Sequence, residues 1–544
     1  MAIAWLTAIV GSFVVLPSVL LDAFDGESLA WLNQKIAAHR ELATTRGLPT
    51  RDRDWYADSA YRYAWRVVAF ATVAASVALL AVFWRKTLAA IRGFLFQPDS
   101  AINLGFARLV VFSMVLFELG KQPINEVAAM PADLYQWPAL APWLLGWFPI
   151  DAAFTTWAVP VAMIAALGAA LGVAFRLTGP LAAIMSVYLL GIPTLAGKVD
   201  HHHHVVLLAA LLACSPADHA FSLKAWLGRA PTPPRSVAYG LPLRFSAVVI
   251  ATCYFFPGFW KAAAGPGWVF GDAMKNTALN VWFDKEHFTP IMRVDRLHAL
   301  SALGALGTIA FEVGFLLALP FRRCRWAMIV AGQSFHTMVM LTLGITFYSL
   351  QLVYVVFVDW DRLWRTFFPS LNKPSVEEAA PRSRPRFFLM TVFLVIWLGM
   401  LATGFTRTVS GWPVACYPTF DATPETQKTW PRFWATWQDG ARVELDDDAI
   451  RDYFGRARYV MVLRPLVVDA NSETDVRDRL AGLLPAWEAS GELSATSPPA
   501  TVEVEAATFE LEGPRRPTEP VHVVSRGVFD WESLQAAASA DSEG

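Results

Sequence analysis

Charged side chains are scarce in this chain. They make up 17% of its 544 residues, where ordinary globular chains carry roughly 25%. A string of soluble domains is therefore not expected. The net charge of -1 leaves no basic excess of the kind that binds phosphate backbones, so no nucleic-acid partner is expected. Cysteine is scarcer still, with only Cys214, Cys253, Cys324 and Cys416 and no CxxC pair. Neither a disulfide framework nor a cysteine zinc site follows from that. HExxH and HxxxH supports are absent, and no metal site is expected. The first 22 residues lack a basic leader and a small-x-small cleavage site, and read as a membrane helix rather than a signal peptide. Internal repeats and long low-complexity segments are missing too.

Hydrophobic runs are abundant. Hydrophobic residues are 55% of the chain and the mean hydropathy is +0.39. Runs near 20 residues long recur, which is the length that crosses a bilayer as a helix. Eleven are expected: Ala4–Leu21, Ala64–Trp84, Leu104–Leu119, Ala152–Phe175, Pro180–Ala196, His202–Ser215, Phe245–Trp260, Ala299–Pro320, Trp326–Gly344, Phe347–Trp360 and Phe387–Phe405. The sixth and tenth are short. Basic residues follow every even-numbered run: Arg85 and Lys86, Arg176, the Lys224–Arg244 loop, Arg322 to Arg325, and Arg362 with Arg365. The bias of Lys and Arg toward cytoplasmic loops then places the N-terminus in the cytoplasm and the region after Phe405 outside it. That tail carries about ten more acidic than basic side chains. ARYVMVLRPLVV, TVEVEAATFEL and PVHVVSRGVF read as strands. Asp475–Glu488 reads as a helix with Val476, Leu480, Leu483, Leu484 and Trp487 on one face. The expected fold is thus an all-α polytopic transmembrane bundle of about eleven helices, followed by a small extracytoplasmic α+β domain. The boundaries fall at 1–100 for the first helices and loop, 101–405 for the bundle, 406–535 for the tail domain and 536–544 for a disordered end.

The candidate chemistry sits at the rims of the apolar runs, where ionisable groups are costly unless solvated, paired or used. Lys198, Asp200 and His201 to His204 open one run, and Lys261 ends YFFPGFWK. Lys261 reads either as a snorkelling lysine or as a general base, since a buried amine that sheds its proton can accept another. Glu312 and Arg108 lie well inside their runs and read as a helix-packing pair, bonded to each other or to backbone. His336 reads as a packing histidine, and is the one transmembrane candidate for a haem ligand facing the His201–His204 cluster.

Three motifs carry a resemblance. DHHHHVVLLAALLACSPADHAFSL, YFFPGFWKAAAGPGW and SFHTMVMLTLGITFY, with LGFARLVVF near the start, resemble in order and spacing the HTTM domain of vitamin K-dependent gamma-carboxylases and their bacterial homologues. The likeness covers about Ala101 to Trp364. It implies an enzyme of the bacterial inner membrane that oxidises vitamin K hydroquinone or menaquinol with O2. That oxidation supplies the base that removes a γ-proton from glutamate in a secreted or membrane peptide, and the carbanion takes up CO2. By position, the resemblance makes Lys261 the base toward the quinol, with His201 and His336 as the other catalytic groups. Asp200 and Trp268 fall within these motifs as supporting residues, and Glu312 and Arg108 are expected to support the site structurally. Asp200 and Val339 stand where the family carries Asn, and Lys224 stands where a Ser-x-Asp turn has its aspartate. The expected function is a carboxylase-like membrane enzyme; the alternative is a non-catalytic membrane binding protein that retains the bundle, and a haem protein is a third class.

Overall fold

The computed structural model of the chain describes residues 53–130, 148–197, 202–227, 234–285, 288–367, 386–416, 424–455, 459–464, 472–494 and 497–540, with scattered positions between them. Run one lies outside the described residues. Eight helices are long and apolar enough to cross a membrane, and they coincide with eight of the remaining ten runs. In chain order the helices used below are α1 (Arg53–Val82), α2 (Trp84–Leu95), α3 (Ala101–Lys121), α4 (Ala152–Leu171), α5 (Phe175–Leu189), α6 (His203–Ala213), α7 (Val237–Ala263), α8 (Ala273–Phe283), α9 (His298–Ala318), α10 (Arg322–Leu343), α11 (Tyr348–Leu352) and α12 (Arg386–Phe405). A 3-10 turn, Ile192–Leu195, extends α5, and another, Val353–Phe357, extends α11.

The two short runs became short helices. At 1.5 Å per residue, α6 reaches only about 16 Å, against about 30 Å of hydrocarbon. Its exposed neighbours take up the difference: almost every residue of α6 is buried, and the irregular backbone before it is buried as well. Non-helical backbone is tolerated at membrane depth only when protein surrounds it in this way. By contrast α4 and α9 leave Ile164, Leu167, Leu303 and Leu317 exposed, which is the outer apolar surface a bilayer covers.

One end of the bundle collects the basic segments. Asp99 and Ser236 exchange backbone hydrogen bonds of 3.0 and 2.9 Å, tying the starts of α3 and α7 together. Arg244 meets Asp99 at 3.0 Å and Arg235 meets Asp359 at 3.3 Å. Arg322 and Arg325 open α10 beside them. The chain therefore alternates between this end and the opposite one, as the sequence pattern requires.

Arg108 is placed by the turn after α6. It is fully buried, donates through Nη1 to the Ala217 carbonyl at 2.8 Å, and donates through Nη2 to the Phe221 carbonyl. Gly105 admits that turn, because a Cβ there would lie 2.3 Å from the Ala220 carbonyl oxygen. Arg108 thus satisfies backbone carbonyls, one of the two readings made from sequence, and does not meet Glu312.

The tail is a four-stranded antiparallel sheet in the order β2-β1-β3-β4, with β1 Gln427–Thr436, β2 Arg442–Leu445, β3 Thr501–Glu510 and β4 His522–Asp530. The second and third expected strands are β3 and β4. The first is a correction: Tyr459–Arg464 is helical. Its apolar residues serve a helix face as well as a strand, and β1 already occupies the sheet position. The expected Asp475–Glu488 helix is two, Glu473–Ala481 and Leu484–Ser490, broken at Gly482, and all five of its expected core residues are buried. The last helix, Trp531–Ala540, continues past Ala536, where composition alone suggests loss of order.

Arg108→Leu leaves the Ala217, Ala220 and Phe221 carbonyls without their charged donor. The expected cost is about 3 kcal/mol, read as a lower unfolding midpoint of the detergent-solubilised protein. An unchanged midpoint would remove Arg108 from the turn's support.

Candidate functional site

Lys261 is in the last turn of α7, and its partner lies on α9. Gly258, one turn earlier, makes the approach possible: a Cβ there would stand 2.7 Å from the Glu312 Cβ. With no side chain at 258, Glu312 reaches Lys261 and accepts from Nζ through both carboxylate oxygens, at 2.7 and 2.8 Å. Lys261 is 3% and Glu312 5% exposed, so this is a buried ion pair. Such a pair is strongly destabilising when one member is removed, by about 3–5 kcal/mol, because the other is left charged and alone. The Trp268 ring centroid lies 5.8 Å from Nζ.

The pair lines a cavity of about 410 Å³ between α6, α7, α9 and α10. Its wall is mostly apolar. The polar groups that reach it include His203, His204, Tyr254 and His336. Leu300 and Met338 line it while being exposed on the outside of the bundle, so it reaches the lipid-facing surface between α9 and α10. Gly307 keeps this side open, since a Cβ there would meet nothing within 4 Å.

His336 is held by two tyrosines. The Tyr354 hydroxyl donates to the Tyr254 hydroxyl at 2.8 Å, and the Tyr254 hydroxyl lies 2.6 Å from His336 Nε2. Tyr254, which accepts from Tyr354, keeps its own hydroxyl proton, and that proton can be given to Nε2. A neutral imidazole that accepts at Nε2 carries its proton on Nδ1. His336 Nδ1 is buried with no hydrogen-bond partner among the described residues, and the His336 side chain lines the cavity. Gly332 gives Tyr354 its room, as a Cβ at 332 would stand 2.0 Å from that hydroxyl. Tyr354 was not singled out from sequence; a tyrosine in an otherwise apolar run, with a glycine on a neighbouring run, was the available signal.

The remaining expected site residues divide clearly. Asp200 and His201 lie outside the described residues. The histidines next to them do reach the site: His203 Nε2 is 3.9 Å from Cys253 Sγ, and His204 lines the cavity. His202 points instead to Glu118, at 3.9 Å, where Tyr348 also donates to that carboxylate at 2.6 Å. Arg108 is at the opposite end, and Val339 lines the cavity as an apolar residue.

The long polar segment between α7 and α9 links the site to the tail. Met274 and Thr277 of α8 line the cavity. On its other face, Asn276 donates to the Pro424 carbonyl at 2.8 Å and Asn280 to the Glu425 carbonyl at 2.9 Å. Phe283 packs against Trp430 and Phe509 of the sheet. Lys428 reaches Asp284 at this junction. Burial pushes the Lys428 amine below its ordinary range, and the Asp284 carboxylate opposes that shift.

Fold and site together define a polytopic membrane protein with a buried, polar-edged cavity inside its helical bundle. Residues 96–364 match the HTTM domain family, and the chain carries an HTTM domain across that stretch. No curated protein and no solved structure matches it.

Lys261→Met is expected to lower stability by about 3–5 kcal/mol, and Lys261→Met with Glu312→Leu to restore most of it. Thermal unfolding of the four proteins in detergent closes the cycle. Additive losses would show that the two side chains do not act as a pair.

Proposed function

We propose that the protein is a vitamin K-dependent gamma-carboxylase-like enzyme, which couples oxidation of a quinol by O2 to carboxylation of glutamate in a peptide or protein. The observation that carries this reading is the placement of the Lys261–Glu312 pair and the His336 donor on one apolar cavity that reaches the lipid-facing surface. A lipid-soluble quinol, vitamin K hydroquinone or menaquinol, fits such a wall. The cavity volume falls in the range of small-molecule sites, about 300–1,000 Å³. When bound, the quinol supplies the reducing equivalents for O2 and the base strength that removes the glutamate γ-proton.

The protein's own groups have separate tasks. Transfer of a proton within the pair, from Lys261 Nζ to Glu312, leaves a neutral amine and a neutral acid. Burial narrows the gap between the charged and neutral pairs, because it penalises the charges and not the neutral groups. The amine then accepts the hydroxyl proton of the quinol. His336 donates from Nδ1 to a quinol oxygen and holds it, while Tyr254 and Tyr354 hold the ring of His336. Trp268 closes the wall beside Nζ. His203 and His204 supply the polar edge next to His201, which the family resemblance makes a catalytic group.

The basic end faces the cytoplasm in this reading, and the cavity and tail domain face outward. The tail is then on the side where a secreted or membrane-borne substrate is met. The second reading, a non-catalytic membrane binding protein, is favoured by one observation: Val339 lines the cavity where the carboxylases carry a polar Asn.

Purified protein with vitamin K hydroquinone and O2 is expected to form the epoxide, and Lys261→Ala to lose at least about 100-fold of that rate. Gly307→Phe, which fills the cavity and leaves the pair intact, is expected to raise KM. Full turnover by Lys261→Ala would overturn the assignment; no epoxide together with no quinol binding would favour the binding protein. For orientation, a cysteine placed at the exposed position 438 (Gln438→Cys) in a Cys324→Ser background is expected to react with a membrane-impermeant maleimide on intact spheroplasts. Labelling only after lysis would reverse the topology.

A further inference from the structure

The basic end holds a second, smaller cavity, of about 110 Å³. Four arginines line it, Arg235, Arg244, Arg322 and Arg325, against two carboxylates, Asp99 and Asp359. The carboxylates are already engaged. Asp99 pairs with Arg244 at 3.0 Å, and Asp359 with Arg235 at 3.3 Å. Among the described residues Arg322 and Arg325 meet no carboxylate within ion-pair distance, so the cavity keeps two uncompensated cations. Arg244 is 9% exposed, and its buried Nε has no hydrogen-bond partner among the described residues. A buried, fixed donor without an acceptor is costly unless something supplies one.

The surroundings identify the kind of acceptor. Phe94 of α2 stacks under both Arg244 and Arg325, with ring centroids 5.7 and 5.6 Å from the guanidinium carbons. Helix α2 has no buried residues. It carries Arg85, Lys86 and Arg92 along with exposed Trp84 and Ile91, which is the composition of a helix lying in a membrane interface. Trp326, on the cavity wall, is 45% exposed, and Phe321 and Val330 beside it are exposed as well. The volume admits a phosphate group but not a lipid, and the exposed apolar residues give acyl chains a path outside it.

We propose that this arginine cavity binds the phosphate of an anionic phospholipid headgroup, with Arg322 and Arg325 matching its charge and Arg244 Nε donating to one of its oxygens. Guanidinium groups suit that task because they offer several fixed donors to phosphate oxygens. The ligand chemistry is a phosphate; its position against the lipid-facing surface favours a lipid over a soluble source. This site is separate from the quinol cavity and does not rest on the proposed reaction.

The full chain, reconstituted in phosphatidylcholine nanodiscs, is titrated with phosphatidylglycerol while its unfolding midpoint is followed. A saturable rise is expected. Arg322→Gln with Arg325→Gln is expected to weaken the apparent affinity by about ten-fold or more. Arg323→Gln, in the same basic run but outside the cavity wall, is expected to leave it unchanged. Native mass spectrometry of the wild type should retain phosphatidylglycerol and the double variant should lose it. Glycerol 3-phosphate or inorganic phosphate producing the same rise, with phosphatidylglycerol no better, would overturn the lipid assignment. A loss in Arg323→Gln equal to that of the double variant would reduce the effect to general surface charge, and no saturable rise would overturn the site altogether.

Discussion

The buried pair of Lys261 and Glu312 is the constraint around which the bundle is arranged. Two opposite charges at 2.7 Å inside an apolar protein are tolerable only when they find each other and stay together. That requires α7 and α9 to cross closely at one place, and Gly258 is the residue that allows it. With the crossing fixed, Phe311 and Phe315 of α9 come to lie against Tyr254, both at 5.1 Å between ring centroids. Tyr254 is in turn the residue through which His336 is held. Lys261, Glu312, Tyr254 and, through Tyr254, His336 are therefore linked on the cavity wall by one helix crossing.

Separation of charge between the two ends is the second organising feature. At the basic end, arginines meet aspartates, Arg244 with Asp99 in a largely buried pair and Arg235 with Asp359 in an exposed one, and Arg322 is exposed beside them. Toward the other end, the buried ionisable groups inside the bundle have partners within the protein: Lys261 pairs with Glu312, and Glu118 meets Tyr348, Gln122 and His202. Among the described spans, Lys261, Glu312, Glu118 and Arg108 are each partnered within the protein, as buried ionisable groups at membrane depth require. Arg108 illustrates the same economy at the basic end, because its charge is spread over the carbonyls of a single turn.

The bundle was readable because long apolar runs have few other uses, and eight of them became full-length helices. The same periodicity does not say which runs face each other. Glu312 and Lys261 each stood out as a lone charge, yet they lie 51 residues apart and nothing in either run names the other. Arg108 was an equally good partner for Glu312 on paper. Gly258 and Gly332 decide these contacts in space, and a glycine inside an apolar run carries no address. In the tail, β1 escaped notice because Pro431 interrupts it. The strand tolerates that proline because β2 pairs only with Phe433–Thr436, so position 431 has no partner on that side. The strand expected in ARYVMVLRPLVV failed for the opposite reason: the apolar residues of Tyr459–Arg464 satisfy a helix and a strand equally.

The tail is bound to the cavity more closely than a chain of domains would suggest. Helix α8 gives Met274 and Thr277 to the cavity wall and gives Asn276, Asn280 and Phe283 to the sheet domain. Trp282, between them in sequence, is fully buried and donates to the Thr342 carbonyl at the end of α10 at 2.8 Å. One eleven-residue helix is therefore fixed to the bundle, to the cavity and to the tail at once. The sheet domain is held at this helix by the two asparagine hydrogen bonds and by the packing of Phe283 on Trp430 and Phe509. The asparagines bond to backbone carbonyls just before β1, which do not rearrange without moving the strand. On this side the cavity wall is formed by one methionine and one threonine of that same helix, so the sheet domain and the cavity share a single support.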